Sequence, residues 1–189
     1  MNKERDLGYL NKIKEQYPDF FENKKVLELG SRNINGSVRE VFNNCEWVGL
    51  DWCVGNDVDV VCKNHDYKGT KDYFDVLISF STFEHDFYWI ESIEHNLEFL
   101  KKGGLILFSW CGMSSSPHGM NYGSNLDKEL DITRDDPQFQ EMINKKTNYF
   151  PKSEKEMVDL LKKNNITILD IWFKQTPEIG AVHYLTAKK

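Results

Sequence analysis

Residues Lys25 to Asp51 read KVLELGSRNINGSVREVFNNCEWVGLD. Val26, Leu27 and Leu29 form a short apolar run, and the Gly, Ser and Asn residues after it carry the turn chemistry that ends a strand. The stretch reads as a buried strand over Val26 to Leu29, a turn opening at Gly30, a helix starting near Gly36 and Ser37, and a second strand over Trp47 to Leu50 ending in Asp51. That is one β-α-β unit. An acid directly after the second strand, 21 positions beyond Gly30, stands where the two hydroxyls of a ribose can both donate to one carboxylate. Asp51 is therefore the ribose candidate. Trp52 beside it offers an aromatic face to adenine or to a cation.

Such a unit can hold a dinucleotide or S-adenosylmethionine (SAM), and its turn discriminates between them. A pyrophosphate needs G-x-G-x-x-G, which lets the backbone approach it at a helix N-terminus. Here the turn is Gly30-Ser31-Arg32-Asn33-Ile34-Asn35-Gly36, with bulky residues where the second and third glycines belong. Glu28, at the mouth of the first strand, would repel phosphates and suits a ligand carrying an ammonium and a sulfonium. With an acid, a hydrophobe and a glycine closing strand one, the chain resembles the class I SAM-dependent methyltransferases, most closely their methyltransferase-11-like members. It departs from their usual E-x-G-x-G at Arg32. The resemblance implies SAM as cofactor, bound by Glu28, Gly30, Ser31, Gly36 and Ser37 in this motif and by Asp51 and Trp52 after strand two. It also implies an α/β fold, a three-layer Rossmann-like sandwich around a mostly parallel seven-stranded sheet whose last strand is antiparallel.

The length of 189 residues suits a single domain over 1–189, with 1–24 as a helical cover and 111–150 as a lid inserted over the substrate. A net charge of −6 argues against general nucleic-acid binding, which calls for a basic face. Cys45, Cys53, Cys62 and Cys111 form no C-x-x-C pair and have no histidines at zinc-ligand spacing, so they read as reduced thiols of a cytoplasmic protein without a metal site. No apolar signal core and no run of about 18 apolar residues occurs, so neither export nor membrane insertion is expected.

Along the chain, Asn2 to Gln16 reads as a helix, with Leu7, Leu10 and Ile13 near helical spacing and Pro18 as its stop. Val58, Val60 and Val61 mark a third strand. The loop after it, Lys63 to Asp66, lies at the end where open parallel sheets bind ligands. Methyltransferases of this family commonly carry an acid, a small residue and a histidine at this turn, touching adenine. The resemblance carries over His65, the acid is missing, and Asn64 keeps a donor and an acceptor for an adenine edge. A turn-capping role is the alternative for His65. Tyr73 to Phe80, YFDVLISF, is a fourth strand buried on both faces. The resemblance sets the methionine part of SAM against Ser79, Phe80 and Ser81, and Glu84-His85 looks like the family's E-H after strand four.

Ile90, Ile93, Leu97 and Leu100 recur at helical spacing over Phe87 to Leu100, and Lys101-Lys102-Gly103-Gly104 is read as closing that helix. Leu105 to Trp110 is a fifth strand, and LKKGGLILF resembles the family's L-x-P-G-G followed by a strand. Cys111 to Pro151 is too long for an ordinary connection and is read as a substrate lid with a short helix near Pro137 to Lys145. Ser153 and Glu156 form a capping box for a further helix. Ile166 to Phe173 and Ile179 to Ala187 read as a final hairpin.

Methyl transfer from a sulfonium is an in-line displacement, in which orientation alone supplies about 7 to 11 kcal/mol. A base is required where the nucleophile must lose a proton, and His85 and His118 are the candidates. Glu84 suits a substrate cation, and His118 and Tyr122 would meet the acceptor from the lid. His95 and His183 read as structural. The reading is a SAM-dependent methyltransferase acting on an O or N atom of a small molecule or saccharide. A nicotinamide-dependent oxidoreductase is the alternative that the glycine-poor loop opposes. A catalytically silent SAM-binding domain is the third, kept open by Arg32, Lys63 and the absence of an acceptor motif.

Overall fold

A computed structural model of the chain describes residues 3–34, 36–115, 149–176 and 180–189. In chain order the elements are α1 (Lys3–Gln16), β1 (Lys25–Leu29), β2 (Glu46–Asp51), β3 (Val60–Val61), β4 (Phe74–Phe80), α2 (Trp89–Leu97), β5 (Leu100–Cys111), α3 (Glu154–Lys163), β6 (Thr167–Thr176) and β7 (Gly180–Lys188). Among the described residues the strands make one seven-stranded sheet in the order β3-β2-β1-β4-β5-β7-β6. β1 pairs in parallel with β2 and β4, β2 with β3, and β4 with β5. β7 runs antiparallel between β5 and β6. This is the mostly parallel sheet with an antiparallel last strand that the sequence led us to expect. Parallel pairing brings the C-terminal ends of β1 to β5 to one edge, where the ligand crevice of such a sheet opens.

Side chains alternate across the strands, and both faces are covered. On one face Val26, Val76, Ile78, Leu105, Leu107 and Tyr184 pack with Tyr9, Leu10 and Ile13 of α1. On the other, Leu27, Leu77, Ile106, Phe108 and Leu185 pack with Trp89, Ile93 and Leu97 of α2 and Met157, Leu160 and Leu161 of α3. The expected three layers are therefore present. α1 forms because its apolar residues recur three to four positions apart and Pro18 follows it in a 3-10 turn.

Two expectations are corrected. No α-helix starts at Gly36 and Ser37; the segment makes a 3-10 turn at Arg39–Val41. Ser37 to Cys45 is nine residues, and a helix of that length reaches about 14 Å. β2 begins opposite the first residue of β1, so the chain must descend the whole of that strand, about 16 Å, and a more extended path is forced. Lys101-Lys102-Gly103-Gly104 does not close α2 either, because β5 starts at Leu100 and includes these residues. Tyr73 and Phe74 both donate backbone hydrogen bonds to the Phe99 carbonyl, which draws the chain into the sheet before the glycines. Gly103 takes φ +79° at the irregularity that follows.

Candidate functional site

At the mouth of β1, Gly30 turns the chain with φ +70°. A Cβ there would lie 2.1 Å from the Thr82 hydroxyl, so only glycine lets the two loops close on one another. The backbone N–H groups of Gly30 and Ser31 both donate to the Leu50 carbonyl, at 2.8 and 2.9 Å, and this brings the turn over the end of β2. Asp51 at that end accepts from Arg32 N–H at 3.3 Å and Cys53 N–H at 3.0 Å. These two donors fall on different carboxylate oxygens, and the carboxylate, with about four lone-pair sites, keeps acceptor capacity. Burial raises the Asp51 carboxyl above its ordinary range, against the pull of these N–H donors. Trp52 is half-buried beside it, with no ring contact to another described residue.

Two buried hydroxyls at this edge lack a hydrogen-bond partner among the described residues, Ser31 Oγ after β1 and Ser81 Oγ after β4. Ser81 also holds φ +52°, a conformation that costs a non-glycine residue free energy and recurs at ligand sites. Its neighbours turn elsewhere. The Ser79 hydroxyl, fully buried, donates to the Leu29 carbonyl at 3.0 Å. The Phe80 ring packs into the α1 layer against Tyr9 and Tyr184. Gly36 and Ser37 likewise serve the turn itself. Gly36 N–H donates to Asn33 Oδ1 at 2.9 Å, and Ser37 Oγ accepts from Arg39 N–H.

Glu28 points into the α1 side of the sheet and is held by Arg39, whose Nε donates to Glu28 Oε2 at 3.0 Å. The same guanidinium donates to the Asp57 carbonyl at 2.6 Å, lies 3.5 Å from the Asp59 carboxylate and sits over the Trp47 ring. Gly49 forms the floor here, since a Cβ on it would meet Asp57 O, Arg39 Nη2 and Ser31 Oγ within 2.6 Å. Burial pushes the Glu28 carboxyl up to about 7, Arg39 opposes the rise, and Asp57 and Asp59 add to it. Arg39, Gly49 and Asp57 were missed in the sequence. The signal available was Glu28 itself, because an acid in a buried strand demands a cation.

Asn64 and His65 sit on a 3-10 turn after β3. Asn64 Nδ2 donates to Asp86 Oδ2 at 3.3 Å, and Asp86 also accepts from Ser92 Oγ at 2.6 Å and Tyr88 N–H at 2.8 Å. This polar knot ties the β3 loop to the start of α2. The His65 ring meets Tyr88 edge-on at 4.8 Å, and its Nδ1 is buried without a partner among the described residues.

Beyond β4, Glu84 is fully buried and its carbonyl accepts from Phe150 N–H at 2.6 Å. The half-buried His85 ring lies 5.9 Å from that of Tyr149. Burial and the neighbouring Glu84 push the Cys111 thiol well up, so it is no thiolate nucleophile near neutral pH. Burial, with Cys111 beside it, does the same to the Tyr149 phenol. Trp110 Nε1 donates to the Lys152 carbonyl, fixing the chain where it returns across β5. His118, Tyr122 and the expected helix over 137–145 lie outside the described residues. His95 meets the Tyr67 carbonyl at 2.6 Å. His183 stacks on Trp110 and lies 3.3 Å from Glu154; burial lowers its pKa although Glu154 pulls the other way. Among the described residues no cluster of His, Cys, Asp and Glu is placed to hold a metal, and no helix is long and apolar enough to cross a membrane.

No protein-family model and no curated protein matches the chain. Solved structures do. The chain is similar to the Burkholderia thailandensis 1,6-didemethyltoxoflavin-N1-methyltransferase, solved with 1,6-didemethyltoxoflavin and S-adenosylhomocysteine, at TM-score 0.66 and 14% identity over 97% of this chain and 78% of that one. The Haemonchus contortus phosphoethanolamine N-methyltransferase 2, solved with phosphomonomethylethanolamine and S-adenosylhomocysteine, matches at TM-score 0.63 and 14% identity over 98% of this chain and 52% of that one. This chain therefore spans about half of that protein. A SAM-dependent methyltransferase from Mesorhizobium loti matches at TM-score 0.61 and 11% identity, over 90% and 93% of the two chains. The fold is that of the class I SAM-dependent methyltransferases.

Proposed function

We propose that this chain is a SAM-dependent methyltransferase, acting on an O or N atom of a small-molecule or saccharide acceptor. The observation that carries the reading is the shared mouth of β1, β2 and β4, where Ser31 and Ser81 present buried hydroxyls with no partner among the described residues. Asp51, with a backbone N–H donor on each carboxylate oxygen, stands beside them. These groups fit SAM. Asp51 would take the ribose hydroxyls, Trp52 the adenine face, His65 and Asn64 the adenine edge, and Ser31 and Ser81 polar groups of the methionine part. Bound SAM would supply a methyl group activated by a sulfonium.

The chain's own part is to orient and to accept a proton. In this reading His85 takes the proton of the acceptor, and Glu84 and the returning segment at Tyr149 and Phe150 shape its pocket. The two relatives named as N-methyltransferases act on small molecules, which supports a small acceptor. Four cysteines outside any disulfide suit a cytoplasmic enzyme.

Calorimetric titration with SAM, S-adenosylhomocysteine and NAD in parallel tests the cofactor. The adenosyl ligands should bind and NAD should not, and Asp51→Ala should weaken S-adenosylhomocysteine by about tenfold or more, the equivalent of one lost charge-assisted hydrogen bond. Binding of NAD alone would favour an oxidoreductase, and binding of neither would remove the proposal. A methylation assay across amine, hydroxyl and sugar acceptors then separates an enzyme from a silent SAM-binding domain.

A further inference from the structure

β6 is the last strand in the sheet order, and its second edge faces no strand among the described residues. It is ten residues long. Long unpaired edges invite another strand, and proteins usually shorten or blunt them. Two of its exposed residues are large and apolar, Leu169 at 38% and Phe173 at 48%.

The two faces of β6 differ. Trp172 stacks on Tyr9 of α1, and strand alternation puts Asp170 and Lys174 on the same side. Ile171 packs toward α2 and α3, and Phe173 lies against His183 on that side. Asp170 and Lys174 are both exposed.

We propose that β6 pairs antiparallel with β6 of a second copy of this chain, about a two-fold axis at Trp172, continuing the sheet across two molecules. A two-fold perpendicular to the sheet keeps each face in register with itself, so only residues on the same face of β6 come to lie directly opposite. Centred on Trp172, it sets Asp170 against Lys174 of the second copy, Lys174 against Asp170, and Ile171 against Phe173 on the other face. Each charged position thus meets its opposite, and each apolar position an apolar one, which is what stabilises cross-strand pairs. Centred instead on Ile171 or Phe173, the axis sets Asp170 against Trp172 or Thr176 and the complementarity is lost. The irregularity between Ile168 and Asp170 confines regular pairing to the stretch from Asp170 onward, where these residues lie.

Sedimentation velocity on the wild type, Asp170→Lys, Lys174→Asp and the double variant tests this register. The wild type should dimerise at micromolar concentration. Each single reversal, which places like charges opposite one another twice, should weaken the dimer by about tenfold or more. The double variant restores opposite charges and should dimerise as the wild type does. A monomeric wild type would leave the edge to a strand of some other protein and overturn the proposal. So would a dimer that ignores the single reversals, or one that the double variant fails to restore.

Discussion

Glu28 shows how one buried side chain sets a local electrostatic problem. It lies in a strand between Leu27 and Leu29, its side chain is 12% exposed, and Arg39 is its ion-pair partner. Asp57 and Asp59 draw on the same guanidinium, so one cation serves three acids and burial lifts the Glu28 carboxyl to about 7 from 4.5. Between those values the folded chain binds a proton that the unfolded chain has released, so stability is greatest below the lower value and falls as pH rises through the upper one. Glu28→Gln removes this dependence. Urea midpoints measured from pH 5 to pH 8 should therefore fall more steeply for the wild type than for the variant, and parallel curves would mean that Glu28 stays ionised throughout. The acid was legible in the sequence, whereas its partner, 11 residues on, was not. Pairing across a turn depends on the path of the turn.

At the scale of the element, local chemistry was readable wherever an element is closed by its own neighbours. α3 begins as the sequence indicates. Ser153 Oγ accepts from Glu156 N–H, and the Glu156 carboxylate accepts from Ser153 N–H at 2.8 Å. Ser153→Ala should cost about 1 kcal/mol, the usual worth of an N-cap, read as a lower urea midpoint with an unchanged slope. The segment after Gly36 went the other way. Val38, Val41 and Phe42 are buried at a helix-like spacing, but the length of the strand beside them denies a helix room. Lys101 illustrates the same competition, since its ammonium reaches Asp75 at 2.7 Å instead of the end of α2.

Across the whole molecule, the first helix is bound to the last strand. Arg5 Nε donates to the Tyr184 hydroxyl at 2.6 Å, and that hydroxyl donates to Asp6 at 2.6 Å. The Tyr9 hydroxyl and Thr186 Oγ1 share a further hydrogen bond. Asp6, Tyr184 and Thr186 are fully buried, and burial with Asp6 alongside drives the Tyr184 phenol far above its ordinary range. Asp6→Ala removes the buried acceptor of the Tyr184 hydroxyl and the carboxylate beside the Arg5 guanidinium. It should destabilise the chain by roughly 3 kcal/mol, as a single urea transition at a lower midpoint. Two transitions would show instead that α1 unfolds independently of the sheet.

By itself the sequence determined the order of the strands along the chain, the parallel sheet with its closing hairpin, and the placing of Asp51, Ser31 and Ser81 at strand ends. Apolar runs, turn residues and caps act over a few positions and leave their mark there. The tertiary structure alone decided that Glu28 belongs to Arg39, that Ser79 and Phe80 turn inward while Ser81 keeps a hydroxyl without a partner among the described residues, and that β6 has no strand on its second edge among them. Those outcomes depend on which strands lie side by side and on how far each connection must reach, and only the assembled sheet sets those distances.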